Sequence, residues 1–169
     1  MVTAARFVEQ ARLGKYIGIP YSKLDCQGLV EKVLSDCGES HDWRGSNHMW
    51  REALSSKGKI EDPGAVPAGA WVFTVKNDGG EVERGYHDKE GNAAHVGIYI
   101  GSGQVLHSTK TTTANGVQLD VITSKRWTHF GLCRYIDYNT ASTAADLREL
   151  VRQLSTYTLE DIIHAIRAL

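Results

Sequence analysis

Three cysteines and seven histidines are the residues of this 169-residue chain with the types needed for covalent or proton-transfer chemistry. The segment Asp25-Cys26-Gln27-Gly28-Leu29-Val30 puts Cys26 directly after an N-capping residue type and one turn before an apolar stripe. A thiol is a nucleophile only as thiolate. The free N–H groups and the dipole at a helix start favour an anion there. Position alone does not distinguish such a cysteine from a small buried apolar residue. A thiol nucleophile also needs a base, and a group to orient that base.

His95 and His107 supply such a pair. His95-Val96-Gly97-Ile98-Tyr99-Ile100 and Gln104-Val105-Leu106-His107-Ser108-Thr109 read as successive strands over 95–100 and 104–109. If Gly101-Ser102-Gly103 is a three-residue turn, Ile100 faces Gln104 and paired residue numbers sum to 204. Leu106 then meets Ile98 on the core face, and His107 stands opposite Gly97. His95 and His107 become diagonal neighbours on the other face, about 7–8 Å apart and within reach of a ring–ring hydrogen bond. A two-residue turn at Ser102-Gly103 makes the sum 205 and buries His107 with the core. The apolar pattern favours 204.

The remaining pattern says what holds these residues. Helices are expected over 3–13 with Gly14 as the stop, over 26–37 and over 46–57 ending at Gly58. Strands are expected over 70–76, over 117–122 after an Asn115-Gly116 turn, and over 129–138, with a polar excursion or hairpin at 77–92. Residues 140–169 read as two amphipathic helices. One carries Leu147, Leu150, Val151 and Leu154; the other starts at a Thr158-x-x-Asp161 capping box and carries Leu159, Ile162, Ile163 and Ile166. Helices, then antiparallel strands, then helices make an α+β fold, with a domain over 1–139 and a helical tail. The tail's apolar stripe is expected either to dock on that domain or to join copies into a homo-oligomer.

Composition narrows the function classes. Nineteen basic against twenty acidic residues give a net charge of −1, which excludes a strong basic footprint for nucleic acid. No apolar run is long enough for a membrane span. The start lacks a charged and then apolar leader, so synthesis in the cytoplasm is expected. Three widely spaced cysteines are not a disulfide framework. Cys37, His41 and His48 match no familiar zinc spacing, and neither metal nor cofactor is expected.

Several motifs resemble the NlpC-type papain-like cell-wall cysteine peptidases. Asp25-Cys26-Gln27-Gly28-Leu29-Val30 resembles the family's D-C-S-G-x-V nucleophile motif. His95 to Gly101 and Val105-Leu106-His107-Ser108 resemble its two histidine motifs. Pro67-Ala68-Gly69-Ala70-Trp71-Val72-Phe73 resembles its approach strand, and Pro20-Tyr21 the pair before the nucleophile. The likeness covers about residues 4–138. It implies a papain-like fold with Cys26 as nucleophile, His95 as base and then acid, and His107 as the orienting residue. It further implies a backbone N–H of Cys26 on the oxyanion, with Tyr21, Asp25 and Gln27 bordering the substrate.

The resemblance also implies hydrolysis of peptidoglycan stem peptides, most often between γ-D-glutamyl and a diamino acid. An N-acetylmuramoyl-L-alanine amidase, an acyltransferase and a non-catalytic wall-binding or phage-tail module remain alternatives. Delivery to the wall by a phage or lysis system is compatible with the leaderless start. Three positions depart from the family pattern. Gln27 stands for serine, Ala70 stands for aspartate, and the loop from Tyr21 to Cys26 is short.

Overall fold

In a computed structural model the described residues are 1–80 and 86–139; the helices expected over 140–169 and the middle of the excursion lie outside them. Met1–Tyr138 form one compact unit. Its helices are α1 (Ala4–Arg12), α2 (Cys26–Asp36) and α3 (Ser46–Glu52). Its strands are β1 (Val2–Thr3), β2 (Leu54–Lys59), β3 (Trp71–Lys76), β4 (Asn92–Gly101), β5 (Gln104–Lys110), β6 (Asn115–Val121), β7 (His129–Cys133) and β8 (Ile136–Asp137). Six strands form one antiparallel sheet in the order β2-β7-β3-β4-β5-β6. β1 and β8 pair in parallel in a sheet of two. The architecture is the α+β arrangement expected from the sequence.

Each face of the large sheet carries its own apolar layer. On one, Phe7, Leu29, Val30 and Val33 of α1 and α2 pack with Val96, Ile98, Ile100 and Leu106. On the other, Val72, Tyr99 and Val105 pack with Ile122 and Trp127. The two-residue alternation along β4 and β5 assigns Ile98 and Leu106 to the helix side and leaves His107 on the other.

Several expectations are corrected. The helix over 46–57 stops at Glu52, and Leu54–Lys59 form β2 instead. Ser55, Ser56 and Gly58 are poor helix formers, and the free edge of β7 supplies the backbone partners that make this segment a strand. The strand over 129–138 divides into β7 and β8. Asn115-Gly116 is not a turn but the start of β6, paired with Lys110 and Thr109. Gly116 is needed there because a side chain would meet the Ile19 carbonyl oxygen at 2.3 Å, with φ at +132°. That close approach lets Gly18 and Ile19 bond Val117 and cover part of the sheet edge.

The turn premise behind the histidine register is also corrected, while the register holds. Ser102 and Gly103 form a two-residue turn with φ of 54° and 76°, so Gly101 faces Gln104. A bulge between Tyr99 and Gly101 absorbs the extra residue, and Ile98 still faces Leu106. The Ile100 carbonyl at this bulge accepts two bonds from the Arg12 guanidinium, at 3.1 and 2.6 Å.

The described end of the excursion is clamped to α3. Arg51 donates to Asp88 through Nε and Nη2 at 2.5 and 2.8 Å and to the Gly91 carbonyl at 3.0 Å, and its guanidinium lies 4.2 Å from the Tyr86 ring. The Trp50 indole donates to the Glu90 carbonyl. Arg51 itself is nearly buried at 6% exposure. Replacing Arg51 with Ala is expected to lower unfolding stability by about 2 kcal/mol, the scale of a lost charge-assisted bond network, as measured by urea denaturation.

Candidate active site

Cys26 is the first residue of α2, and Asp25 caps the helix by accepting from the Gly28 N–H at 2.7 Å. The approach to the cysteine is fixed from the sheet: the Ser108 hydroxyl of β5 donates to the Leu24 carbonyl. The Tyr21 hydroxyl and the backbone N–H groups of Val96 and Gln27 favour the anion of the Cys26 sulfur. Burial works the other way and is the larger effect, since Cys26 is 8% exposed; the neighbouring Asp25 charge adds to it. The thiol therefore lies above its ordinary value, and in the unliganded site the helix start does not make a standing thiolate. Burial and the nearby sulfur push the Tyr21 hydroxyl up to about 12, so it remains a donor.

The residue before Val96 is His95, which places the imidazole one position along β4 from a backbone group that touches the thiol. His95 Nε2 and His107 Nδ1 are 2.9 Å apart, with ring centroids at 5.2 Å and planes nearly perpendicular. Burial holds His95 down to about 3, with the charges of His107 and Arg126 adding to it and Asp120 opposing. Burial and Arg126 hold His107 down to about 4, again against Asp120. Both rings are thus neutral near pH 7. Because Nε2 of His95 is turned to His107, Nδ1 is the nitrogen left for the thiol side.

Gly97 sits between the two histidine positions. A Cβ there would meet Val105 at 2.7 Å, Trp127 at 2.9 Å and the His107 Cβ at 3.1 Å. The space beside the pair is therefore filled by Trp127. His95 stacks on that indole at 5.5 Å and 28°, and His107 meets it edge-on at 5.3 Å. The indole N–H donates to Asp120 at 3.1 Å. In the sequence Trp127 reads as an ordinary core or rim aromatic, and nothing in its spacing marks the stacking.

The Tyr21 hydroxyl and the Cys26 thiol act on each other. Asp25 acts as the helix cap. The Gln27 amide is spent on the protein: it donates to Glu31 at 2.8 Å and to the Trp43 carbonyl, and accepts from the Gly45 N–H at 2.5 Å. It holds the 43–45 loop against the start of α2. Cys37 and Cys133 are buried on the helix side, and burial raises both thiols. Cys37, His41 and His48 are separately engaged, with the Arg6 carbonyl, with the Trp43 and Tyr135 rings, and with the Arg44 N–H.

Residues 14–134 match the NlpC/P60 family. This chain belongs to the NlpC/P60 family. Solved structures share its fold. The NlpC/p60 domain of the peptidoglycan hydrolase SagA is 22% identical with a TM-score of 0.54, covering 78% of this chain and 99% of that domain. The P60 domain of an antigen from M. avium subspecies paratuberculosis is 21% identical with a TM-score of 0.54, covering 80% and 98%. The peptidoglycan hydrolase RipB from Mycobacterium tuberculosis is 22% identical with a TM-score of 0.51, covering 80% and 67%. A search of curated proteins gave no match. The papain-like α+β fold of the NlpC/P60 family is thus the fold of this chain.

Two outcomes test the geometry. In this NlpC/P60 domain, Gly97→Ala is expected to cost about 1–3 kcal/mol of stability by overpacking Trp127, Val105 and His107, as measured by denaturant unfolding. The histidine pair should also couple stability to pH. Its folded-state values lie below the unfolded value near 6.5, so protonation favours unfolding. Its stabilising contribution is complete above about pH 6.5 and is lost as pH falls toward 4 and 3. At pH 5, calorimetry in buffers of different ionisation enthalpy should show His107→Asn taking up about one proton fewer on unfolding than the native chain.

Proposed function

We propose that this NlpC/P60 domain is a cysteine endopeptidase that hydrolyses peptidoglycan stem peptides at the bond between γ-D-glutamyl and a diamino acid. The observation that carries the reading is a buried thiol at a helix start, acted on by Tyr21 and the Val96 backbone, one strand residue from an imidazole bonded to a second imidazole. Family membership and the names of SagA and RipB, both peptidoglycan hydrolases, support the substrate class.

In the resting site both partners are neutral. As the Cys26 sulfur attacks the γ-carbonyl carbon, His95 Nδ1 takes the thiol proton and the carbonyl oxygen becomes an oxyanion. The N–H of Cys26 at the start of α2 is the donor available to it, since the Gly28 N–H is committed to the Asp25 cap. His95 then gives its proton to the amine of the diamino acid, which leaves, and a thioester remains on Cys26. Water attacks the thioester with His95 as base. The products are a free γ-carboxyl and a restored thiol. The His107 Nδ1 lone pair stabilises the imidazolium by accepting from His95 Nε2 throughout. Gln27, with its amide committed to the 43–45 loop, holds that loop against the start of α2.

Mass spectrometry of muropeptides after digestion tests the bond: new γ-D-glutamyl carboxyl termini are expected, and release of intact stem peptide from N-acetylmuramic acid would instead assign an amidase. Cys26→Ala should fold and lose more than about a hundredfold of activity. His107→Asn should lose less than His95→Ala, because an amide oxygen can still accept from His95 Nε2. Activity should persist below the ordinary imidazole value near pH 6.5, with an acid limb set by His95.

A further inference from the structure

The bond between His95 and His107 can run in two directions. If His95 donates from Nε2, its Nδ1 carries the lone pair that can take a thiol proton. If His107 donates from Nδ1, neutral His95 accepts at Nε2 and carries its own proton on Nδ1. In that state it cannot act as a base toward Cys26. The two arrangements differ only in where each ring's proton sits.

Nothing on the far side of His107 selects between them. His107 is fully buried, and its Nε2 has no hydrogen-bond partner among the described residues. Selection must come from the Nδ1 side. There a second group faces the same atom: Arg126 Nη1 lies 3.5 Å from His107 Nδ1. A guanidinium has donors only, so an N–H on His107 Nδ1 would point at another N–H and at a fixed positive charge. A bare Nδ1 meets both groups as an acceptor.

We propose that Arg126 is a positioning residue that holds His107 in its Nε2–H form and thereby keeps the His95 Nδ1 free to act as a base. The inference rests on the thiol-peptidase reading given above. The guanidinium is itself held in place. Nη1 donates to the Thr109 hydroxyl of β5 at 3.2 Å, and Nε lies 3.9 Å from Asp120 of β6. Asp120 also accepts from the Trp127 indole at 3.1 Å and from the Ser124 hydroxyl at 3.3 Å. The ring on which His95 stacks and the cation that faces His107 are therefore neighbours in sequence, tied to one carboxylate.

Among the described residues the charged groups that act on the pair are Arg126 and Asp120. Arg126 disfavours protonation of both rings, and Asp120 opposes it. Removing the cation should thus move the acid limb upward as well as release the tautomer. A residue that merely braced the fold would do neither.

The test compares the native chain with Arg126→Met, which removes donors and charge, and Arg126→Lys, which keeps both. Nitrogen-15 shifts of the histidine rings at pH 7 should show a bare Nδ1 and a protonated Nε2 on both residues in the native and lysine forms, and averaged values in the methionine form. For the methionine form, kcat should fall about tenfold with KM little changed. The acid limb of Cys26 alkylation by iodoacetamide should rise by about half to one pH unit. Unchanged ring shifts together with an unmoved limb would overturn the proposal. If Arg126→Met does not fold, Arg126→Gln takes its place; it keeps a donor and drops the charge, so its limb should still rise, and an unmoved limb overturns the role of the cation. A native alkylation profile that is the same in His95→Ala would instead reject the thiol–histidine reading itself.

Discussion

The site depends on one contact across two strands, the 2.9 Å bond between His95 Nε2 and His107 Nδ1. It exists only because β4 and β5 pair with Ile98 opposite Leu106. A slip of one residue would turn His107 into the layer packed on the helices and leave His95 without its partner. Three devices guard the register. Apolar residues on the helix side make the slip costly, the bulge at Ile100 takes up the odd residue of a tight turn, and Arg12 ties the bulge carbonyl to α1. The helix that packs on the sheet and the turn at the hairpin's end thus cooperate in placing two imidazoles.

Burial decides the electrostatics. A helix start favours a thiolate, yet the same packing that fixes the sulfur removes the water that would solvate an anion. The two histidines lose their charged forms for the same reason. The result is a neutral site rather than a standing ion pair. In the proposed mechanism Tyr21 and the Val96 N–H serve the sulfur and the Cys26 N–H serves the oxyanion as charge develops. On that proposed mechanism such a site holds little charge at rest, and the proton moves only as the substrate carbonyl is attacked.

The loop before Cys26 is short, and the structure fixes it from two sides. Ile19 closes on β6 at Gly116, and the Leu24 carbonyl is held by Ser108. On the other side of Cys26, the Gln27 amide fastens the 43–45 loop. α3 carries a further clamp, through Arg51, onto the excursion after β3.

Much of this was legible in the residues themselves. The cysteine after a capping aspartate, the two histidines in alternating strands, and the demand that Leu106 and Ile98 share a face follow from local chemistry and the two-residue period of a strand. They suffice for the helix start, the histidine pair and the α+β class. What tertiary contacts alone decided is of a different kind. Leu54–Lys59 became a strand because β7 offered it an edge. The turn shortened and a bulge appeared because packing on both faces had to be reconciled with one register. Trp127 and Arg126 reached the histidines from a turn about twenty residues beyond His107, where Asp120 of β6 holds both. No pattern in the sequence marks such contacts, because they depend on where strands end in space and not on the periodicity of any one of them. The ionisation of the site was decided in the same way: a residue's type sets its ordinary proton affinity, and only the folded chain sets how much water it keeps.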